Sequence, residues 1–192
     1  MYTINVPTRD QVDPKAQAIF DNLKKNLGMV PNLYSVIGHS ANALESYLAF
    51  SKAQAQGSFN AKEREAVALA VSEFNGCSYC LAAHTALAKM NGFSEEETHH
   101  LRAGTIEDPK LGVLTRLAIS IVENRGKANP GIVEDFFAAG YNESALMDLI
   151  ALVAERNFAN YVGRLVGVPV DFPKAAPLQK SSKQTENVVS RN

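Results

Sequence analysis

Apolar residues recur at i, i+3, i+4 and i+7 along almost the whole chain, and no useful stretch alternates with period two. That is the signature of amphipathic helices, so the pattern predicts an all-α domain over residues 1–167, a bundle of about eight helices. The first spans Pro14 to Leu27, with Ala18, Ile19, Leu23 and Leu27 inward and Gly28 as its stop. The following Gly28-Met-Val-Pro-Asn-Leu bends into Leu33 to Ile37. A second long helix runs from near Ser40 to Gly57 around Leu44, Tyr47, Leu48 and Phe50. Asn60 is the expected N-cap of the third, which carries Ala66, Val67, Leu69, Ala70, Val71 and Phe74 before Asn75-Gly76 breaks it.

A helix from about Cys77 to Met90 follows at once and stops at Asn91-Gly92. Ser94, with Glu97 three residues on, reads as a capping box for a short helix through Leu101. Pro109 suits the first turn of the next, which buries Leu111, Leu114, Leu117, Ala118, Ile121 and Val122 and ends near Gly126. Asn129-Pro130 opens another through Phe136 and Phe137 to Gly140, and the last, Glu143 to Val166, is expected to bury Leu146, Leu149, Ile150, Leu152, Val153 and Phe158. No internal repeat is visible. After Gly167 the composition changes, and residues 168–192 read as a polar C-terminal tail that either its own domain or a neighbouring subunit would order.

Composition narrows the functional classes. The 192 residues are 46% apolar, and 19 Lys and Arg nearly balance 20 Asp and Glu. The chain therefore has neither the basic footprint of a nucleic-acid binder nor the composition of a disordered protein. The first ten residues lack a basic start and an apolar run, and no segment reaches the roughly 18 apolar residues of a membrane span. The expectation is a cytoplasmic protein, in a compartment where thiols stay reduced.

The chemistry concentrates in the helix that opens with Cys77-Ser-Tyr-Cys80. Unpaired backbone N–H groups at a helix start favour a thiolate. At about 100° per residue, Cys77, Cys80 and His84 share one face with Leu81, Leu87 and Ala88. Cysteines three apart on a helix can close a disulfide. The pattern fits a sheltered dithiol that is oxidised and reduced while His84 moves protons. Two buried cysteines and a core histidine are the structural alternative. A zinc site with Cys77, Cys80, His84 and Glu65 is another, disfavoured because structural zinc draws ligand pairs from separated segments. A thioredoxin-type site would follow a strand, and none precedes this one.

Glu65, twelve residues before Cys77, with Cys80 and then His84 four further on, resembles the Glu…Cys-x-x-Cys-x-x-x-His signature of the alkylhydroperoxidase D (AhpD)-like members of the carboxymuconolactone decarboxylase family. The string from Glu63 to Thr85, and the earlier Gly28-Met-Val-Pro-Asn-Leu-Tyr, look most like the uncharacterised peroxidase-related group. The resemblance implies a helical fold assembling as dimers, trimers or hexamers, and a peroxidase that uses no cofactor and no metal. It implies Cys80 as the peroxidatic cysteine, Cys77 as the resolving one, and Glu65 with His84 as a proton relay. Its partners would be a peroxide substrate and a thiol reductant, in AhpD a lipoyl-type protein. Glu63 is as good a candidate as Glu65 by composition; the family spacing alone selects Glu65. This chain has Tyr79 where the AhpD type carries a histidine, and a phenol is a poor base near neutral pH.

Other residues carry less. His99 and His100, among Glu95, Glu96 and Glu97, read as a solvated face, and His39 as a local hydrogen-bonding residue. Arg116, Arg125, Arg156 and Arg164 read as surface or intersubunit ion pairs, with Arg156, Asn157 and Asn160 a set that can face a pocket. Two other functions compete with the peroxidase: the lactone decarboxylation for which the family is named, against which the CxxC pair argues, and a non-enzymatic redox-responsive oligomeric protein.

Overall fold

A computed structural model describes residues 3–178, which form nine α-helices and a short 3₁₀ turn, Arg9–Gln11. The helices are α1 Pro14–Leu27, α2 Asn32–Ile37, α3 Ala41–Gln54, α4 Ala61–Asn75, α5 Ser78–Met90, α6 Glu95–Ala103, α7 Pro109–Glu123, α8 Pro130–Ala138 and α9 Glu143–Leu165. Eight follow the periodicity of the sequence; the ninth is α2, where the bend after Gly28 closes a helical turn and a half. No strand occurs among the described residues.

The helix starts sit where short polar side chains can accept orphan N–H groups. Asn60 accepts from Glu63 N at 3.0 Å while the Glu63 carboxylate accepts from Asn60 N at 3.0 Å. Ser94 and Glu97 make the same reciprocal pair at 2.7 and 3.1 Å. Asp13, Asp108 and Asn129 cap helices that begin with proline. Asn60→Ala is expected to destabilise the protein by about 1 kcal/mol, lowering the melting temperature by roughly 2–4 °C, measured by thermal unfolding.

Helix α4 lies in the middle, against α5, α6, α7 and α9, and every side chain from Glu65 to Ser72 is buried. It is apolar nearly all round, which suits a helix enclosed by others. The core divides into three apolar clusters, and α4 feeds the second and third. One joins α1, α2, α3 and the start of α5, a second joins α7, α8 and the first half of α9, and a third lies under α6.

Several positions read as inward are not. Ala18, Leu27, Phe50, Phe74, Leu87, Ile150 and Phe158 are exposed by a third of their surface or more. In α1 the buried pair is Ala16 and Phe20. Leu27 and Phe74 fall in the last turns of α1 and α4. Nor does the packed structure stop at Gly167. Val166 and Val168 belong to the first cluster, Asp171 accepts from Asn32 N at 2.7 Å, and Ala176 O accepts from Arg102 at 2.7 Å. The first part of the expected tail thus packs on its own chain. Gln179 to Asn192, and with them the expected contact to a neighbouring subunit, lie outside the described residues. No helix among the described residues is long and apolar enough to cross a membrane.

Candidate active site

Only Gly76 and Cys77 separate α4 from α5. Gly76 takes φ +65°, a left-handed conformation that costs glycine little. The turn it permits lets Cys77 N donate to Ser72 O at 2.9 Å and Gly76 N to Glu73 O at 3.0 Å, the two bonds of a Schellman ending. Cys77 then has extended backbone and is the N-cap of α5, not its first helical residue. Its Sγ accepts from Cys80 N at 3.3 Å, the role an Asn or Ser side chain plays at the other helix starts.

Both cysteines are free and almost completely buried. The side chain of Cys80 donates toward Cys77, and this bond, opposing burial, holds the Cys77 thiol below its ordinary range with help from backbone N–H groups. For Cys80 the same bond and burial act in the opposite direction and raise the thiol. Of the two, Cys77 is therefore the more acidic thiol.

Glu65 projects from α4 to His84 of α5, with Oε2 2.7 Å from Nδ1, both side chains nearly buried. Burial would raise the Glu65 carboxyl, but His84 and Arg156 together bring it below its ordinary range. Glu63, two residues earlier, is spent elsewhere. It completes the α4 capping box and accepts from the Tyr141 hydroxyl at 2.8 Å. The structure therefore separates two glutamates that composition could not.

Three side-chain positions of α9 face this pair at i, i+4 and i+7. Arg156 is buried and its Nη1 lies 3.2 Å from His84 Nε2; it is not a surface ion pair. Arg116, 4.0 Å from Asp135 and half exposed, is one. Asn160, fully buried, donates to Ser72 Oγ at 3.1 Å and accepts from Asn75 at 2.9 Å, and Asn75 also donates to Asn157 at 2.7 Å. Gly163 lies so close that a Cβ there would sit 2.8 Å from Cys77 Sγ. The spacing of Arg156, Asn160 and Gly163 was a usable signal, because residues at i, i+4 and i+7 share a helix face.

Tyr79 does not replace the histidine of the AhpD pattern. Its hydroxyl accepts from Leu33 N at 3.2 Å, beside Asp171, and its ring packs edge-on against Phe172. Burial and the Asp171 carboxylate raise that hydroxyl, so it ties the thiol turn to α2 and the C-terminal segment. His39 Nε2 lies 3.0 Å from Asn5 O, and His99 and His100 lie near Glu95 and Glu96. An apolar cavity of about 310 Å³ lined by Leu117, Ile121, Val133 and Leu146 shares no residue with the thiol site. Among the described residues no group of three or more His, Cys, Asp and Glu side chains is arranged to hold a metal ion.

Residues 41–109, which hold Glu65, both cysteines and His84, match the model of the carboxymuconolactone decarboxylase family. The matched segment is just over a third of the chain. The chain's fold is shared with the AhpD-core, peroxidase-related protein from Ralstonia eutropha JMP134 at a TM-score of 0.79 and 18% identity, over 88% of this chain and 91% of that one. The debrominase Bmp8, in complex with 2,3,4-tribromopyrrole, superposes at a TM-score of 0.74 and 16% identity over 89% of this chain and 93% of its own. In sequence, the chain is 27% identical over 115 residues to the uncharacterized protein YdfG of Bacillus subtilis (strain 168), 58% of this chain and 78% of that one. The solved structures that share this fold include both a peroxidase-related protein and a debrominase.

Proposed function

We propose that the chain is a thiol-dependent peroxidase that reduces hydrogen peroxide or alkyl hydroperoxides through Cys77 and Cys80. The observation that carries this reading is a buried cysteine pair at a helix N-terminus, one turn from a carboxylate–imidazole dyad. A shared proton lets either sulfur present the thiolate. Transfer of the Cys80 proton to the Cys77 thiolate makes Cys80 the nucleophile. Its attack on the peroxide O–O bond gives Cys80 sulfenic acid and an alkoxide, which takes a proton relayed through His84 to leave as the alcohol. The Cys77 thiol then displaces hydroxide from the sulfenic sulfur, which leaves as water, and closes the disulfide. A reducing dithiol of the dihydrolipoyl kind reopens it and is itself oxidised.

The test is consumption of hydrogen peroxide and of an alkyl hydroperoxide with dihydrolipoamide or dithiothreitol as reductant. Turnover is expected in the wild type and background in the variant with both cysteines changed to serine; equal consumption by the two overturns the reading. A second reading has one observation in its favour. Tyr34, Tyr47 and Phe158 form an aromatic row, with centroids 5.9 and 5.3 Å apart, beside the same cluster as the sulfurs, and one fold neighbour is a debrominase. A dithiol also supplies the two electrons that replace aryl bromide by hydrogen, releasing bromide. Bromide release with no peroxide consumption would select that reading. On either, the exposed Tyr161 and Leu165 of α9 offer an apolar surface for the expected homo-oligomer.

A further inference from the structure

Arg156 belongs to neither thiol chemistry nor the Glu65–His84 dyad as the sequence presents them, yet it touches the histidine. Its Nη1 lies 3.2 Å from His84 Nε2, while His84 Nδ1 lies 2.7 Å from Glu65 Oε2. A guanidinium has five N–H donors, no acceptor, and keeps its proton in proteins. His84 Nε2 must therefore accept from Arg156. The ring proton is then on Nδ1, where it donates to the Glu65 carboxylate. The other neutral tautomer would set two donors face to face at Nε2 and two lone pairs face to face at Nδ1. An imidazolium would satisfy Glu65 but oppose Arg156.

Arg156 is held from its other side. Glu155, fully buried, places Oε2 3.1 Å from Arg156 Nε. Neither Glu155 oxygen, nor Arg156 Nε, makes a well-aligned hydrogen bond among the described residues, and the Tyr47 hydroxyl lies beside Glu155. A fully buried carboxylate with spare acceptor capacity next to a guanidinium is costly unless the pair has a use.

We propose that Arg156 is a positioning residue of the thiol site, which fixes His84 as the neutral Nδ1–H tautomer and swings toward Glu155 when Nε2 takes a proton. In the resting state the buried groups are two carboxylates, one guanidinium and a neutral imidazole. A proton arriving at His84 Nε2 displaces the Arg156 N–H, and the open acceptor positions of Glu155 receive it. Glu65, Arg156, Glu155 and protonated His84 are then electrically balanced. The tautomer follows from these contacts alone; its consequence for turnover rests on the peroxidase reading.

The experiment is nitrogen-15 NMR of histidine-labelled full-length protein, with the His84 signals assigned by their absence in His84→Gln. The wild type is expected to carry the His84 proton on Nδ1 and none on Nε2. Arg156→Met should let Nε2 carry the proton, and Arg156→Lys should restore the wild-type pattern. A wild-type His84 protonated at Nε2 overturns the proposal, as does an Arg156→Met spectrum with the tautomer unchanged. If Arg156→Met fails to fold, the double variant Glu155→Gln/Arg156→Met removes both buried charges and gives the same reading. Turnover is measured in parallel: Arg156→Met should lower kcat about 10²-fold with KM unchanged, the scale of a lost general acid or base. If wild-type protein shows the expected tautomer but consumes no peroxide, the peroxidase reading fails and the positioning role stands.

Discussion

In Cys77→Ser, one equivalent of peroxide is expected to oxidise Cys80 without turnover, and excess peroxide to carry it on to sulfinic and sulfonic acid; Cys80→Ser is expected to take up no oxygen. The asymmetry follows from where each sulfur sits. Cys77 Sγ is the cap of α5, held by Cys80 N and pressed against Gly163, so moving it forward costs a helix cap. Cys80 is on the first turn of the helix, one turn before His84, and its sulfur has no capping duty. Losing Cys77 removes the second thiol that would condense with a sulfenic acid, and nothing then stops the next oxidation. Intact-protein mass spectrometry reads the outcome as one, two or three added oxygens. His84→Ala in the Cys77→Ser background should slow the first addition by on the order of 10²–10⁴-fold, since it removes the proposed proton carrier. The reverse result, oxygen added to Cys77 in Cys80→Ser and an inert Cys80 in Cys77→Ser, would exchange the two roles. That is a real contest, because Cys77 is the more acidic thiol of the two.

The helices were legible because their signals are local. Proline at the first turn, Asn60 and Ser94 with a glutamate three residues on, and glycine at the ends fix where each begins or stops before any tertiary contact forms. The thiol pair and His84 were legible because they share one helix, and their relation needs only its pitch. What the sequence could not give were relations between helices. Glu65 against Glu63 is decided by which side of α4 meets α5. Arg156 looks like a surface cation until α9 is laid along the same seam. Phe158 and Ile150 look like core until the seam is found to run past them. Tyr79 looks like a failed histidine, and only the return of residues 169–172 across α2 shows a strut.

Gly163 is where the fold and the chemistry meet. It sits in the last turns of the 23-residue α9, where glycine is about 1 kcal/mol poorer than alanine, so propensity argues against it. The approach of α5 explains it. A Cβ would stand 2.8 Å from Cys77 Sγ, 3.8 Å from Cys80 Sγ and 3.9 Å from Tyr79 Cβ, and the first of these is a collision. The sulfur cannot step aside freely, since it caps the helix. Gly163→Ala is expected to leave stability near the wild type, helix propensity offsetting the clash, while slowing closure of the disulfide at least tenfold. Gly163→Val adds two more carbons and a branched Cβ. It should cost about 2 kcal/mol, or roughly 4–8 °C in melting temperature, and abolish turnover. Thermal unfolding and the rate of thiol reaction with a disulfide reagent measure the two effects separately. The decisive comparison is a double-mutant cycle: Cys77→Ala removes the sulfur that the new methyl group strikes, so Gly163→Ala should be more stabilising in that background by about 1–2 kcal/mol. Additive effects would mean that Gly163 and Cys77 do not press on one another, and the account of the seam would be wrong.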